Sequence, residues 1–104
     1  MMEVVEFMVR YLDSKIGRAT KYRFHEDQYA YHLLAWFKDV DTPQGLKCFD
    51  EERGLLGGRK IFCYDEVDGR KLSVVLMVAK NKVKMVMVSL FKEGAPLIWP
   101  PRRA

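Results

Sequence analysis

Two near-continuous apolar runs, Leu72 to Ala79 and Val83 to Phe91, joined by Lys80-Asn81-Lys82, constrain this chain more than any other feature. Runs of this length, rich in Val, Leu and Met and separated by a short polar connection, predict two antiparallel strands folding back on each other. Both alternating sets are apolar: Leu72, Val74, Leu76 and Val78 point one way, Val75, Met77 and Ala79 the other. A strand of that kind belongs in the middle of a sheet, and something must cover each side of it.

Around this hairpin the pattern predicts an α+β domain spanning residues 1–104. Two N-terminal helices, with an edge strand between them, pack on an antiparallel meander of three to four strands. From Met2 to Ile16 the polar residues Glu3, Glu6, Arg10 and Asp13 form one stripe of a helix, with Val4, Val5, Met8, Leu12 and Ile16 on the buried side and Gly17 as its C-cap. The competing reading of this segment is a strand, because Val, Phe and Tyr are frequent. Thr20 to His25 alternates as a charged edge strand would. Glu26 and Asp27 then read as the start of a second helix, with Ala30, Leu33, Leu34 and Phe37 inward, running to about Val40 and stopped by Asp41-Thr42-Pro43. Residues 43–58, with four glycines and the acidic knot Asp50-Glu51-Glu52, read mostly as loop, with a helical turn possible near Leu46 to Glu52. Strands follow at 59–66, 71–79 and 83–92, and Asp68-Gly69 is the strongest hairpin signal, since a type I′ turn needs positive φ at both central positions. In the proline-rich tail at 95–104, Leu97-Ile98-Trp99 reads as a short edge segment.

Hydrophobic residues at 49% and charged residues at 31% place the chain with globular domains, away from disordered ones. Lys80, Lys82 and Lys84 interrupt the longest apolar stretch, which excludes a helix buried in a membrane there, and the opening Met1-Met2-Glu3 carries no secretion signal. The expected compartment is the cytoplasm. Cys48 and Cys63 lack metal or redox spacing, so buried thiols are the ordinary reading and no metal or cofactor is expected. The chain has a single Asn, two Gln, two Thr and three Ser beside abundant Val and charge, a composition associated with hyperthermophiles. With that origin a Cys48–Cys63 disulfide becomes admissible.

The net charge of +4 favours polyanionic partners, and its distribution is uneven. Acids gather at Asp39 to Glu52 and Asp65 to Asp68, whereas Lys80, Lys82, Lys84, Lys92, Arg102 and Arg103 crowd the last quarter. Known motifs fail: there is no phosphate loop, no G-x-S-x-G, and His25 and His32, seven apart, would stand about 10 Å apart on one helix, too far to share an ion. His25 reads as a partly exposed acid/base or as a capping residue, His32 as a packed side chain. Tyr29, Tyr31, Trp36 and Phe37 could stack on bases, although helical spacing makes most of them core. What remains is a set of cations at strand ends, Arg59, Lys60, Arg70, Lys71 and Lys92, able to cradle a phosphate or to guard the strands against aggregation.

The order helix, strand, helix and antiparallel strands ending in a basic residue resembles the compact ribonuclease toxins of the RelE and MqsR kind. The strings that carry the likeness are Gly58-Arg59-Lys60-Ile61-Phe62-Cys63-Tyr64, Val67-Asp68-Gly69-Arg70-Lys71-Leu72 and Met87-Val88-Ser89-Leu90-Phe91-Lys92-Glu93. The resemblance implies metal-independent RNA cleavage. His25 or Lys60 would be the base at a ribose 2′-hydroxyl, Arg59, Arg70 and Lys92 would hold the phosphate, and Tyr64 or a protonated lysine such as Lys92 would assist the leaving oxygen. The departure from that pattern is a sheet expected to hold no histidine. The alternative is a non-catalytic, self-associating or host-protein-binding factor of a thermophile plasmid or virus, motivated by the doubly apolar hairpin.

Overall fold

The computed structural model describes residues 2–54 and 57–96. Its elements are one helix, α1 (Met2–Lys15), and strands β1 (Lys21–Glu26), β2 (Ala30–Asp41), β3 (Lys47–Arg53), β4 (Arg59–Val67), β5 (Arg70–Ala79) and β6 (Lys82–Phe91). The strands form one antiparallel sheet of six in the order β1-β2-β6-β5-β4-β3. The three C-terminal strands follow the expected meander, with Asp68 and Gly69 at φ 53° and 75° as a type I′ turn requires. Lys80 and Asn81, at φ 53° and 63°, close the central hairpin in the same left-handed way.

The rest of the expected architecture is corrected by the structure: among the described residues there is one helix instead of two, and the sheet has six strands instead of three to four. The segment from Glu26 to Val40 misleads because its opening chemistry is shared by two structures. Asp27 Oδ1 accepts hydrogen bonds from the backbone N–H groups of Tyr29 and Ala30, both at 2.8 Å. A helix N-cap makes the same contacts, but here they form the turn of the β1–β2 hairpin, and the Asp27 N–H donates back to the Ala30 carbonyl. After that turn, β2 is rich in Tyr, His, Trp and Phe, which suit a pleated strand. The acidic stretch read as loop is edge strand β3, whose side chains are nearly all exposed. Its charges blunt an otherwise open sheet edge.

Strands β2 and β3 are parallel to each other at sheet positions two and six, yet only residues 42–46 join them. Six peptide steps reach about 22 Å at most. Crossing four strand spacings takes about 19 Å, and β3 starts level with His32, far back along β2 from Asp41, so a flat sheet could not be connected this way. Right-handed twist brings the two corners together, helped by a bulge in β2 between Trp36 and Val40, where Asp39 sits at φ 57°. Leu46 and Val40 pack on the core, on the helix side.

Helix α1 buries Met8, Tyr11 and Leu12 against Leu33, Val86, Val88, Leu72, Val74 and their neighbours on one face of the sheet. The Tyr11 hydroxyl donates to Asp65 Oδ2 at 3.0 Å and ties the helix to β4. Burial and the adjacent carboxylate raise the Tyr11 pKa well above its ordinary value. Cys48 and Cys63, cross-strand partners, are joined as a disulfide that staples β3 to β4, so the two sulfurs are not the free buried thiols of the ordinary reading. The expectation that both faces of the central strands are covered is met on one side only. Leu34, Trp36, Met85, Met87, Val75, Met77 and Phe62 are half-buried by one another and lie outside the core cluster, and no described element packs over them. The segment Leu97-Ile98-Trp99 lies outside the described residues.

Candidate nucleic-acid and protein interfaces

Strand register places the chemistry on the uncovered face in rows. Cross-strand partners point the same way, so one row runs His25, His32, Ser89, Ser73, Tyr64 across five strands. The next row is Arg23, Leu34, Met87, Val75, Phe62, Asp50, and the one after it Lys21, Trp36, Met85, Met77, Lys60, Glu52. Lys47 of β3 partners Tyr64 and closes the first row, so the face is apolar at its centre, polar along one row, basic at the β1 edge and, Lys47 apart, acidic at the β3 edge.

The polar row contains a relay. His32 Nε2 lies 2.7 Å from Asp27 Oδ2 and its Nδ1 2.8 Å from Ser89 Oγ. A carboxylate only accepts, so Nε2–H donates to Asp27; in the neutral tautomer this leaves Nδ1 to accept the Ser89 hydroxyl proton. His25 stacks on His32 with ring centroids 4.7 Å apart. The order Ser-His-Asp has the connectivity of an activated nucleophile. Ser89, however, is 4% exposed and lies in a strand paired on both sides, so the backbone N–H groups around it are spent in the ladder and cannot hold an oxyanion. Its effect is structural: a buried hydroxyl is satisfied, and the β1–β2 turn is tied to β6.

Asp27 carries the electrostatic signature of that tie. The His32 hydrogen bond first, then the Tyr29 and Ala30 N–H groups, lower its pKa from the ordinary 3.8 to about 2. A carboxylate held below its unfolded value stabilises the fold above that value and loses the contribution as pH falls through the folded one. Stability is expected to decline between about pH 4 and pH 2. In Asp27→Ala that part of the acid limb should be missing, so that the two unfolding curves converge at the low end of a thermal-melt series.

A second feature lies at the end of the sheet. A cleft of about 760 Å³ opens between Val4 of the helix, Tyr31, the Gly69-Arg70-Lys71 turn and the exit of β6 through Lys92 to Ala95. The Arg70 guanidinium rests 4.8 Å from the centre of the Phe7 ring. Lys92 Nζ donates to Glu26 Oε2 at 2.8 Å and to the Asp27 carbonyl at 2.7 Å, and lies 4.9 Å from the Tyr31 ring centre. The bond to Glu26 raises its pKa.

Of the phosphate-holding residues expected from the sequence, Arg70 and Lys92 line this one cleft, while Arg59 does not. Arg59 opens β4 at the opposite end of the sheet, beside a smaller hollow of about 210 Å³, and donates to Glu51 at 3.3 Å. The length of β4 separates it from the cleft by about 25 Å. The expected catalytic residues scatter as well. His25 and Tyr64 share a row but stand four strand spacings apart, about 19 Å, Lys60 is two rows from Tyr64, and Lys92 leaves the sheet at its end. General acid and base groups must each reach the reacting atoms within about 3 Å, so these four do not form one centre. His25 lies in β1, near the end of the expected edge strand, and His32, expected on a helix, lies beside it in β2, so the sheet holds both histidines. Asp27, Ser73 and Ser89 are the interface residues that sequence reasoning passed over, whereas Trp36 was among the aromatics it offered for stacking. The two serines left a signal, as the lone hydroxyls interrupting the apolar runs. Among the described residues no cluster of His, Cys, Asp or Glu could hold a metal, and no helix is long and apolar enough to cross a membrane.

Comparison with family models, curated proteins and solved structures finds no match to the chain.

Proposed function

We propose that this protein is a non-enzymatic interaction module whose working surface is the uncovered face of the sheet. One observation carries the reading: α1 covers one side of the sheet, while the other presents Leu34, Trp36, Met85, Met87, Val75, Met77 and Phe62 with nothing described over them. A contiguous apolar area of this kind, rimmed by charge, marks a binding surface, and methionine side chains adapt well to a partner. Brief peroxide treatment followed by mass spectrometry tests it. Met77, Met85 and Met87 of the isolated monomer should oxidise well before Met8, which is fully buried in the core. Protection of all three in a monomer would end the reading.

A second reading, binding of single-stranded RNA, is favoured by the cleft that gathers Arg70, Lys71 and Lys92 beside Tyr31. It keeps the RNA contact implied by the likeness to ribonuclease toxins and leaves out cleavage, for which the dispersed candidates offer no support. With three cations engaged, the logarithm of affinity should fall with the logarithm of salt with a slope of about −2. Anisotropy titrations of a labelled oligoribonucleotide measure that slope. Arg70→Ala should reduce both affinity and slope, and a variant binding as tightly as wild type would remove the cleft from consideration.

A further inference from the structure

Resting on the interaction reading, we propose that the occupant of the uncovered face is a second copy of this chain, related by a twofold axis parallel to the strands and passing between β6 and β5. The sheet's edges oppose growth by added strands. On this face β1 carries Lys21, Arg23 and His25, while β3 is interrupted by a register shift between Cys48 and Asp50 and is dense in acids. Edge charges and bulges of this sort prevent strand addition, which leaves the broad face as the route to association. The molecule measures 38 × 33 Å across its two longer dimensions, room enough for the roughly 800 Å² per partner that stable complexes cover.

Charge selects the axis. Rotation about an axis parallel to the strands keeps each row at its own level and exchanges the two edges. Lys21 and Arg23 of one copy then lie opposite Glu52 and Asp50 of the other, twice over by symmetry. The apolar centre meets itself, with Met87 against Val75 and Leu34 against Phe62, and Lys60 falls on Trp36. Rotation about the perpendicular in-plane axis instead sets β1 on β1 and β3 on β3, cation on cation and acid on acid, which costs affinity. A saddle-shaped twist is carried onto itself by the first rotation, so two twisted sheets stack at even separation, as in aligned β-sandwiches. An offset of about 30° between the sheets displaces the edges by about one row; the displacement that brings Arg23 onto Glu52 keeps opposite charges facing, whereas the reverse one would set Arg23 against Lys47.

Sedimentation velocity provides the test. At roughly 100 µM, where an interface of standard size is populated even at micromolar affinity, wild type should sediment as a dimer that weakens with added salt. Met87→Asp alters a side chain already partly solvated in one copy. It should leave the circular dichroism of the fold intact and weaken the dimer by about 100-fold or more, because each copy would bury an unpaired carboxylate. Lys21→Glu/Arg23→Glu and Glu52→Lys chains should each self-associate less than wild type, and mixing them should yield a heterodimer tighter than either parent. A wild-type monomer at this concentration, a dimer indifferent to Met87→Asp, or swapped chains that do not prefer each other would each overturn the proposal. Methionine oxidation separates its failure from that of the reading beneath it. A monomer with Met77, Met85 and Met87 reactive leaves an open face with a different occupant, whereas a monomer with them protected ends both.

Discussion

Leu12→Ala should lower the melting temperature by about 10 °C or more, whereas Leu34→Ala, one strand-face away, should lower it by only a few degrees. Leu12 is fully buried between the helix and the sheet, and Leu34 is a half-buried residue of the uncovered face. Truncating a fully buried leucine costs about 2–5 kcal/mol, the lost transfer free energy plus a cavity. In a domain of about 100 residues each kcal/mol moves the midpoint by about 4–8 °C. At a site already facing solvent both terms shrink. Thermal melts of the two variants, at concentrations low enough to keep the chains monomeric, compare the two sides of the sheet directly. Equal losses would mean that the second face is as dry as the first.

Replacing both cysteines with alanine should cost about 3 kcal/mol, the entropic estimate for a cross-link closing a loop of 15 residues. The loss should be local before it is global. Strand β3 contributes little to the core: Lys47, Cys48, Phe49, Glu51, Glu52 and Arg53 are exposed, and only Asp50 is half-buried. Without the link, β3 is held to β4 by the ladder and by exposed side-chain contacts such as Arg59–Glu51 and Phe49–Tyr64, on the side where the sheet ends. Hydrogen exchange should therefore show β3 amides losing protection in the variant or after reduction while β2, β5 and β6 keep theirs. Uniform loss across the sheet would place β3 in the main cooperative unit instead.

The helix and the central hairpin were legible because their signals are local and redundant. In α1, a polar stripe, an acid early, a lysine late and a following glycine agree. In β5 and β6, long apolar runs flank short turns and mark the middle of the sheet, although only one of their two apolar sides is covered by a described element. Strand β2 was illegible from its start because a carboxylate that accepts two N–H bonds begins a helix and a hairpin alike. Only pairing with β1 and β6 decides between them. Strand β3 hid behind its charge, since the pattern of an edge strand with one disulfide anchor is not that of a half-buried strand.

The candidate interfaces depended most on information that no local window contains. A two-residue turn at Lys80-Asn81 taken alone would pair Ser73 with Val88, and the hydroxyls would fall on opposite faces. The register shift between Met77 and Val78 moves the pairing by one residue, so that Ser73 meets Ser89 and Met77 meets Met85. A one-residue shift exchanges every side chain between the faces of a sheet, and that single irregularity aligns the polar row with His32 and gathers the methionines into the apolar patch. The chain's own text determined that there would be a buried antiparallel centre, an amphipathic helix beside it and a surplus of cations, because period and composition act over a few residues. Which cations meet, which face stays open and which cysteines join were decided by long-range register and twist, since those set distances between residues dozens of positions apart.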